Sequence, residues 1–395
     1  MFAHIPPYAG DPILSLNEAF QKDPRAGKVN LSIGIYFDEN GKIPALESVR
    51  KAERLVVEAA GARPYLPMEG AANFRSAVQN LLFGADHPTL KAGRIATIQG
   101  VGSSGGLKVA ADFIKAHFPA SKVYLSNPTW DNHRAVFEGS GVETTTYPYY
   151  QDGQLDFAGM MDALSKAPAR SVVLLHACCH NPTGVDLSAA QWTELVKLLN
   201  ERELLPFLDL AYQGYGDGLN EDLFAVRELL AAGGPFLLAN SFSKNMSVYG
   251  ERCGALSVVC PTADEAERVL GQLKFMIRRN YSNPPTFGGQ VVATVLNTPE
   301  LNSLWHAEVD AMRTRIQAMR KALHEVLSAK VPGRNFDYFL TQRGMFSYTG
   351  LSPDQVDALK NDHAVYLVRS GRMCVAGLNS KNVEVVANAM AAVLA

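Results

Sequence analysis

The sequence predicts an α/β protein with a large domain, built on a mostly parallel sheet between helices, and a smaller α/β domain. Between about 95 and 260, short apolar runs alternate with helical stretches, a pattern typical of parallel strands covered by helices. The 395 residues also exceed the ~250–300 that one hydrophobic core normally serves. A helical pattern near 300–330 then separates this region from a second group of strands and helices.

The large-domain elements follow from the alternation. Helices are predicted near 105–117, 131–139 and 188–202, and the strands are IATIQ, KVYLSN, SVVLLHACC, LLPFLDL, PFLLANS and GALSVVC. In the smaller domain we expect helices near 353–361 and 380–393 and strands near 336–340, 344–348 and 373–375, with VNLSIGIYF (29–37) as a further strand. Prolines 6, 7 and 12 predict an arm with no helix beyond a turn. The predicted domains are an arm at 1–14, a small domain at 15–43 and 311–395, and a large domain at 44–310.

Composition narrows the classes of function. A formal net charge of -2 argues against nucleic acid as a partner. No run of about 18 uncharged apolar residues predicts a membrane span, and the N-terminus lacks a signal-peptide pattern. The five cysteines, an odd number with two adjacent, favour a reduced, cytoplasmic setting, and their spacing to histidine does not suit a structural zinc site, so we expect no metal.

Polar residues follow most of the predicted strands. Because ligands in open α/β sheets bind beyond the carboxyl ends of the strands, these residues are candidates for a site. They are GVGSSGG (100–106), SNPTW (126–130), His176 with HNPTG (180–184), Asp209 with Tyr212, and Ser241-Phe-Ser243-Lys244.

The segment Gly100–Gly105 matches G-x-G-x-x-G between a strand and a helix, which raises a dinucleotide site as one interpretation. The strand that follows ends in Ser126-Asn127-Pro128 and lacks the acidic residue that would hold a ribose. A phosphate site at the helix N-terminus, with the hydroxyls of Ser103 and Ser104, remains. A glycine-rich turn that serves only packing is the alternative.

Two charged residues, Asp209 and Lys244, can each be explained without a ligand. Asp209 closes an apolar strand, where a salt bridge or helix cap would account for it, and a solitary lysine such as Lys244 is usually a surface charge. A partly desolvated lysine, however, loses its proton more readily and can form a Schiff base with a carbonyl, and Arg252 can hold a phosphate through two donors. Lys244 could bond to an aldehyde, and Asp209 could pair with a pyridine nitrogen. Asn181 and Tyr212 could donate to a phenolate, and the serines with Arg252 could bind a phosphate. The ligand with all four groups is pyridoxal 5′-phosphate.

Over nearly its whole length the sequence resembles the fold type I, class I aminotransferases that depend on pyridoxal 5′-phosphate, in the aspartate and aromatic amino acid subgroup. The resemblance lies in the motifs SNPTWDNH (126–133), HACCHNPTG (176–184), DLAYQG (209–214), SFSK (241–244), YGERCG (249–254), RRNYSNPP (278–285), GMFSYTGL (344–351) and SGRMCVAGLN (370–379).

The resemblance implies a role for each matching residue. Lys244 bonds to the cofactor and moves the proton between the substrate Cα and C4′ of the cofactor. Asp209 pairs with the ring nitrogen, with His176 behind it. Asn181 and Tyr212 donate to the phenolate, and Trp130 stacks on the ring. The phosphate is held by Ser103, Ser104, Ser241, Ser243 and Arg252. Tyr65 joins them from the second subunit of a homodimer with shared sites. Arg372 binds the substrate α-carboxylate, Arg278 of the partner chain reaches the distal carboxylate, and the pocket is lined by Gly34, Asn132 and Phe346.

The resemblance also implies a ping-pong reaction between amino acids and 2-oxo acids. The strings PFLDLAYQG and SGRMCVAGLN are similar to bacterial aromatic aminotransferases, so we expect transfer from tyrosine or phenylalanine, and from aspartate, to 2-oxoglutarate. The alternatives are an aspartate aminotransferase with little aromatic activity, a lyase or decarboxylase on the same fold, and a regulator. The regulator would need an added DNA-binding module, for which a fourteen-residue arm and near-neutral charge leave no room.

Overall fold

The computed structural model describes residues 1–8, 10–59 and 61–394. The chain forms two compact units, a terminal unit of Met1–Ile43 with Arg315–Ala395 and a central unit of Pro44–Thr314. No helix in the described part of the chain is both long and apolar enough to cross a membrane.

Numbered along the chain, the α-helices are α1 Pro12–Lys22, α2 Glu47–Glu58, α3 Ala72–Phe83, α4 Pro88–Lys91, α5 Gly102–His117, α6 Asp131–Gly139, α7 Phe157–Ser165, α8 Ala189–Glu201, α9 Phe224–Ala232, α10 Ala263–Asn280, α11 Phe287–Asn297, α12 Pro299–Lys330, α13 Tyr338–Thr341, α14 Pro353–His363 and α15 Val383–Leu394. The strands are β1 Val29–Asn30, β2 Ile95–Val101, β3 Val123–Asn127, β4 Thr144–Pro148, β5 Tyr150–Gln151, β6 Gln154–Leu155, β7 Val172–His176, β8 Leu205–Leu210, β9 Phe236–Ser241, β10 Cys253–Val259, β11 Phe346–Tyr348, β12 Val365–Tyr366 and β13 Arg372–Cys374.

The central unit is built on a seven-stranded sheet in the order β2-β10-β9-β8-β7-β3-β4. Only β10 runs antiparallel to its neighbours within the described sheet. Strands β7, β9 and β10 are buried throughout, as expected for a sheet covered by helices on both faces. The expected α/β class with a mostly parallel seven-stranded sheet is confirmed.

The order of the sheet brings the carboxyl ends of its six parallel strands to one edge. In register, His176 at the end of β7 lies beside Asp209 on β8, and Asp209 lies beside Ala239 on β9. The antiparallel β10 begins at this same edge, where Gly254 pairs with Ser241 on one side and with Gly100 on the other. Polar residues that are far apart in sequence therefore meet here.

One strand of the central sheet was not expected from the sequence. Strand β4, TTTYP, lies at the edge of the sheet and most of its side chains are partly or fully exposed. An edge strand needs no continuous apolar run, so a search for such runs passes over it.

The terminal unit contains two small sheets, a parallel pair of β1 with β12 and an antiparallel pair of β11 with β13. The strand expected near 336–340 is wrong. Asn335 accepts a hydrogen bond from the backbone of Asp337 at 2.7 Å, which starts a turn that continues into α13. The strand expected over 29–37 covers only Val29–Asn30, because the side chain of Asn30 bonds the backbone of Ser32 and turns the chain.

A helix begins inside the stretch 1–14, where the prolines had predicted no helix beyond a turn. Helix α1 begins at Pro12, where proline suits the first helical position. The side chain of Asp11 caps it by accepting from the backbone of Ile13 and Leu14.

Candidate active site

Asp209 is the most deeply buried charged residue among the predicted site residues at the sheet edge, with 4% of its surface exposed. Its Oδ2 lies 3.0 Å from Nε2 of His133, whose Nδ1 in turn lies 2.8 Å from the hydroxyl of Thr129. Its Oδ1 is buried and finds no hydrogen-bond partner among the described residues. A buried oxygen left in this state is costly unless a donor from a ligand meets it.

Asp209 is nevertheless ionised. Burial alone would raise its pKa, but the hydrogen bond from His133, together with the positive charge of Lys244, holds the pKa below its ordinary value. His176 lies beside His133, with ring centroids 5.2 Å apart, and burial lowers its pKa to about 3, so it is neutral at physiological pH. The carboxylate is therefore a fixed negative charge with one oxygen available.

Lys244 follows the end of β9 and is partly buried. Its Nζ lies 5.0 Å from the ring centroid of Tyr212. Burial lowers the pKa of Lys244 to about 8, with the charge of Arg252 acting in the same direction and that of Asp209 opposing it. A substantial fraction of the amine is thus neutral near physiological pH, which a surface lysine would not show.

Tyr212 and Asn181 come together although 31 residues separate them. Asn181 Nδ2 donates to the hydroxyl of Tyr212 at 3.5 Å, and both side chains are buried. The pair offers two polar groups on the side of the site where the Lys244 amine lies.

Arg252 meets the start of α5. Its Nη1 donates to Ser243 Oγ at 3.2 Å, and its carbonyl accepts from the backbone of Gly102, the first residue of the helix, at 2.9 Å. The N-cap residue Val101 makes no side-chain capping bond, so the first turn keeps backbone donors for another partner. In the first turn of α5, Ser103 is buried and Ser104 is partly buried. Ser241 at the end of β9 and Ser243 just after it are also buried. A helix N-terminus, hydroxyls and a guanidinium form an anion site.

Gly254 is what allows these segments to approach one another. A Cβ at this position would lie 2.4 Å from the carbonyl oxygen of Asn240 and 2.6 Å from the carbonyl carbon of Gly102. Both are backbone atoms and cannot rotate away. Any larger residue would push α5 away from the end of β9.

Trp130 caps α6 and packs against the core of the central unit. Its ring contacts that of His133 edge to face, with centroids 5.2 Å apart, so Trp130 lies next to the residue that bonds Asp209. Asn132 follows two residues later and is partly buried.

Arg372, Phe346 and Gly34 come together in the terminal unit. Arg372 is 5% exposed, donates to the carbonyl of Ser32 at 2.7 Å and places its guanidinium 4.6 Å from the ring centroid of Phe346. A Cβ on Gly34 would lie 2.9 Å from Cζ of Phe346. The absence of a side chain at Gly34 therefore leaves room for the phenyl ring of Phe346 beside the guanidinium of Arg372.

Tyr65 and Arg278 lie apart from these clusters. Tyr65 is 92% exposed, and Arg278, at the end of α10, is exposed and bonds its neighbour Ser282. The sequence had assigned both to the site of a second subunit, and an exposed position in one chain is compatible with that prediction.

His133 and Thr129 were not singled out from the sequence. Both lie within the motif SNPTWDNH, but the bond to Asp209 spans 76 residues and depends on the order of β3, β7 and β8. His133, His176 and Asp209 also lie close enough to ligate a metal. Both ring nitrogens of His133 already contact Thr129 and Asp209, which disfavours a metal there.

The residues present fit pyridoxal 5′-phosphate. The available Oδ1 of Asp209 suits a protonated ring nitrogen, the Asn181 and Tyr212 pair suits a phenolate, and the α5 terminus with Arg252 suits a phosphate. A lysine of lowered pKa and a buried carboxylate at the same edge of a sheet are typical of an enzyme that handles a carbonyl cofactor.

The family model described as aminotransferase class I and II matches residues 26–390, and the chain belongs to this family. The aromatic-amino-acid aminotransferase of Escherichia coli (strain K12) is 58% identical over the whole of both chains, and the aspartate aminotransferase of Pseudomonas aeruginosa is 49% identical over the same extent. The crystal structure of an aromatic-amino-acid aminotransferase from Burkholderia pseudomallei, covalently bound to pyridoxal phosphate, superposes with a TM-score of 0.98 at 50% identity and full coverage of both chains. The expected resemblance is confirmed.

Proposed function

We propose that the protein is an aromatic-amino-acid aminotransferase that uses pyridoxal 5′-phosphate to transfer the amino group of tyrosine or phenylalanine, and of aspartate, to 2-oxoglutarate. The observation that carries the proposal is that a buried carboxylate with an available oxygen and a lysine whose pKa is lowered to about 8 lie at the same edge of the sheet. Relatives named as aromatic-amino-acid and tyrosine aminotransferases, at 58% and 57% identity over the whole chain, support the aromatic preference.

When bound, the cofactor supplies an aldehyde that takes up the amino group and a ring that withdraws electrons from the substrate Cα. Asp209 holds a proton on the ring nitrogen, because its carboxylate stays ionised and His133 fixes its orientation. Asn181 and Tyr212 donate hydrogen bonds to the phenolate. Trp130 covers the ring and limits the access of water to it.

Ser103, Ser104, Ser241, Ser243 and Arg252 bind the phosphate together with the backbone of the first turn of α5. This end of the site would hold the cofactor while the substrate amino group takes the place of the Lys244 amine on the aldehyde carbon, which would leave Lys244 as a free amine. That free amine would take the proton from the substrate Cα and deliver it to C4′, the former aldehyde carbon of the cofactor. Two half-reactions share this single group, so the kinetics are ping-pong.

Arg372 binds the α-carboxylate through the paired donors of its guanidinium, which the ring of Phe346 and the carbonyl of Ser32 keep in place. Gly34, Asn132 and Phe346 line the pocket. Aspartate and aromatic substrates share the Arg372 contact and differ in their use of Arg278, which binds the second carboxylate. The alternative function is that of an aspartate aminotransferase with little activity toward aromatic amino acids.

The protein acts as a homodimer with shared sites, in which Tyr65 and Arg278 of each chain serve the site of the other. Their exposure in one chain supports this arrangement. Its partners are otherwise small amino acids and 2-oxo acids, with no role for nucleic acid or a membrane. The five cysteines, all buried and none cross-linked, support a cytoplasmic location. The assignment of an arm (1–14), a small domain (15–43 and 311–395) and a large domain (44–310) belongs to the same proposal.

The test is kcat/KM for tyrosine, phenylalanine and aspartate with 2-oxoglutarate as acceptor, measured on purified protein loaded with pyridoxal 5′-phosphate. We expect turnover of all three, with the aromatic pair at least equal to aspartate. Negligible turnover of tyrosine and phenylalanine beside good turnover of aspartate would support the alternative. Release of ammonia or carbon dioxide in place of transfer would indicate a lyase.

A further inference from the structure

The turn that follows Tyr212 is organised around one buried carboxylate. Asp222, in the central unit, accepts the backbone N–H of Gly214 at 2.7 Å and of Gly216 at 3.0 Å on Oδ2, and that of Asp217 at 2.9 Å on Oδ1. Three bonds from one side chain fix the course of the turn 213–218. Burial raises the pKa of Asp222, yet these donors favour its charged form.

Within this turn, Tyr215 reaches back to the cofactor lysine. Its hydroxyl donates to the main-chain carbonyl of Lys244 at 2.9 Å, while the sulfur of Met312 at 3.6 Å is a weaker acceptor. The backbone N–H of Tyr215 bonds the carbonyl of Tyr212 at 3.0 Å. Through its backbone N–H and its side-chain hydroxyl, this one buried residue connects Tyr212, proposed to donate to the phenolate, with Lys244, proposed to carry the proton.

Asn245, the residue after Lys244, makes two further hydrogen bonds that restrain the backbone. Asn245 donates from its side chain to the carbonyl of Gln213 at 3.2 Å, and its own carbonyl accepts from Nε1 of Trp305 at 2.8 Å. The backbone at 244–245 is therefore fixed by the turn and by α12. The four-carbon side chain of Lys244 therefore extends from a backbone that these hydrogen bonds restrain.

We propose that Tyr215 is a positioning residue for Lys244, with Asp222 anchoring the turn that presents it. Without the Tyr215 hydroxyl, the Lys244 carbonyl keeps only the bond from the backbone of Ser247 among the hydrogen bonds described for it. The amine then samples more positions and spends less time within reach of a carbonyl carbon. This inference rests on the proposed function.

The test is Tyr215→Phe, which removes one oxygen and keeps the buried ring. In the cofactor-free full-length chain, the rate constant for covalent capture of pyridoxal 5′-phosphate, followed by absorbance and borohydride trapping, should fall about tenfold. In the loaded enzyme, kcat should fall by about the same factor while KM for the amino acid changes less than about twofold.

Tyr147→Phe is the matched control, since the Tyr147 hydroxyl makes the same kind of bond, at 2.9 Å, to the carbonyl of Leu174. It should show the same change in Tm and normal capture. Asp222→Asn, if it folds, should slow capture at least as much as Tyr215→Phe. Unchanged capture and kcat in Tyr215→Phe, or an equal loss in Tyr147→Phe, would overturn the inference. Failure of the unaltered protein to capture the cofactor would instead count against the proposed function.

Discussion

At the scale of single residues, the site depends on two charges whose environments act in opposite ways. Asp209 stays ionised in a buried position because His133 and the nearby cations outweigh the cost of burial. Lys244 loses part of its charge because burial dominates. An amine that is half neutral near pH 8 can attack an aldehyde, and a carboxylate that remains charged can hold a proton on a ring nitrogen.

The pKa of Lys244 gives a pH prediction. The rate of pyridoxal 5′-phosphate capture by the cofactor-free protein should fall about tenfold for each pH unit below about 8, because only the neutral amine reacts, and should level off above that value. Stopped-flow absorbance across pH 6 to about 10 would measure it. Lys244→Ala should bind the phosphate group without covalent capture, and capture by that variant would disprove the assignment.

At the scale of elements, the sequence identified the strands whose ends carry chemistry, because β2, β3, β7, β8 and β9 are apolar runs followed at once by polar residues. It missed β4 and misassigned 336–340, where exposure at an edge and a side-chain turn decide the structure. The role of His133 was likewise hidden, since its bond to Asp209 exists only once β3 and β8 occupy their places in the sheet.

Gly254→Ala tests the contact of β10 with the start of α5. The new methyl group would clash with backbone atoms at 2.4 and 2.6 Å, so we expect a loss of about 3 kcal/mol in the free energy of unfolding. Cofactor affinity should also fall, because Arg252 and the first turn of α5 separate. Urea unfolding and a cofactor titration measure the two effects.

Gly271→Ala is the control for that substitution. It lies inside α10, and a Cβ there meets no atom within 4 Å. It should stabilise the protein by about 0.5–1 kcal/mol, since alanine favours a helix interior over glycine. Equal behaviour of the two variants would show that the close approach at Gly254 has no energetic weight.

At the scale of the whole molecule, the candidate groups are distributed over two compact units. The residues proposed to hold the cofactor lie in the central unit, and Arg372 with Phe346 and Gly34 lies in the terminal unit. The roles of Tyr65 and Arg278 stay predictions, because they concern a second chain. They require that one chain complete the site of the other.

Mixed dimers test this requirement. Lys244→Ala and Arg278→Ala should each transaminate aspartate poorly when pure. After unfolding and refolding together, about half of the dimers should be mixed, and one of the two sites in each should combine an intact Lys244 with an intact Arg278. Aspartate activity should therefore recover to about a quarter of the unaltered protein. No recovery above the pure variants would contradict shared sites.

The reversed direction of β10 has a consequence for how the cofactor is received. Gly254 pairs with Ser241 and with Gly100, so main-chain hydrogen bonds join both flanks of the segments proposed to bind the phosphate into one cooperative ladder. Such amides exchange with deuterium only when a large part of the domain opens. We therefore expect the proposed phosphate site to be formed before the cofactor binds, so that binding loses little conformational entropy there. Selectivity for the phosphorylated vitamer over free pyridoxal then comes from a rigid receptor and not from folding around the ligand.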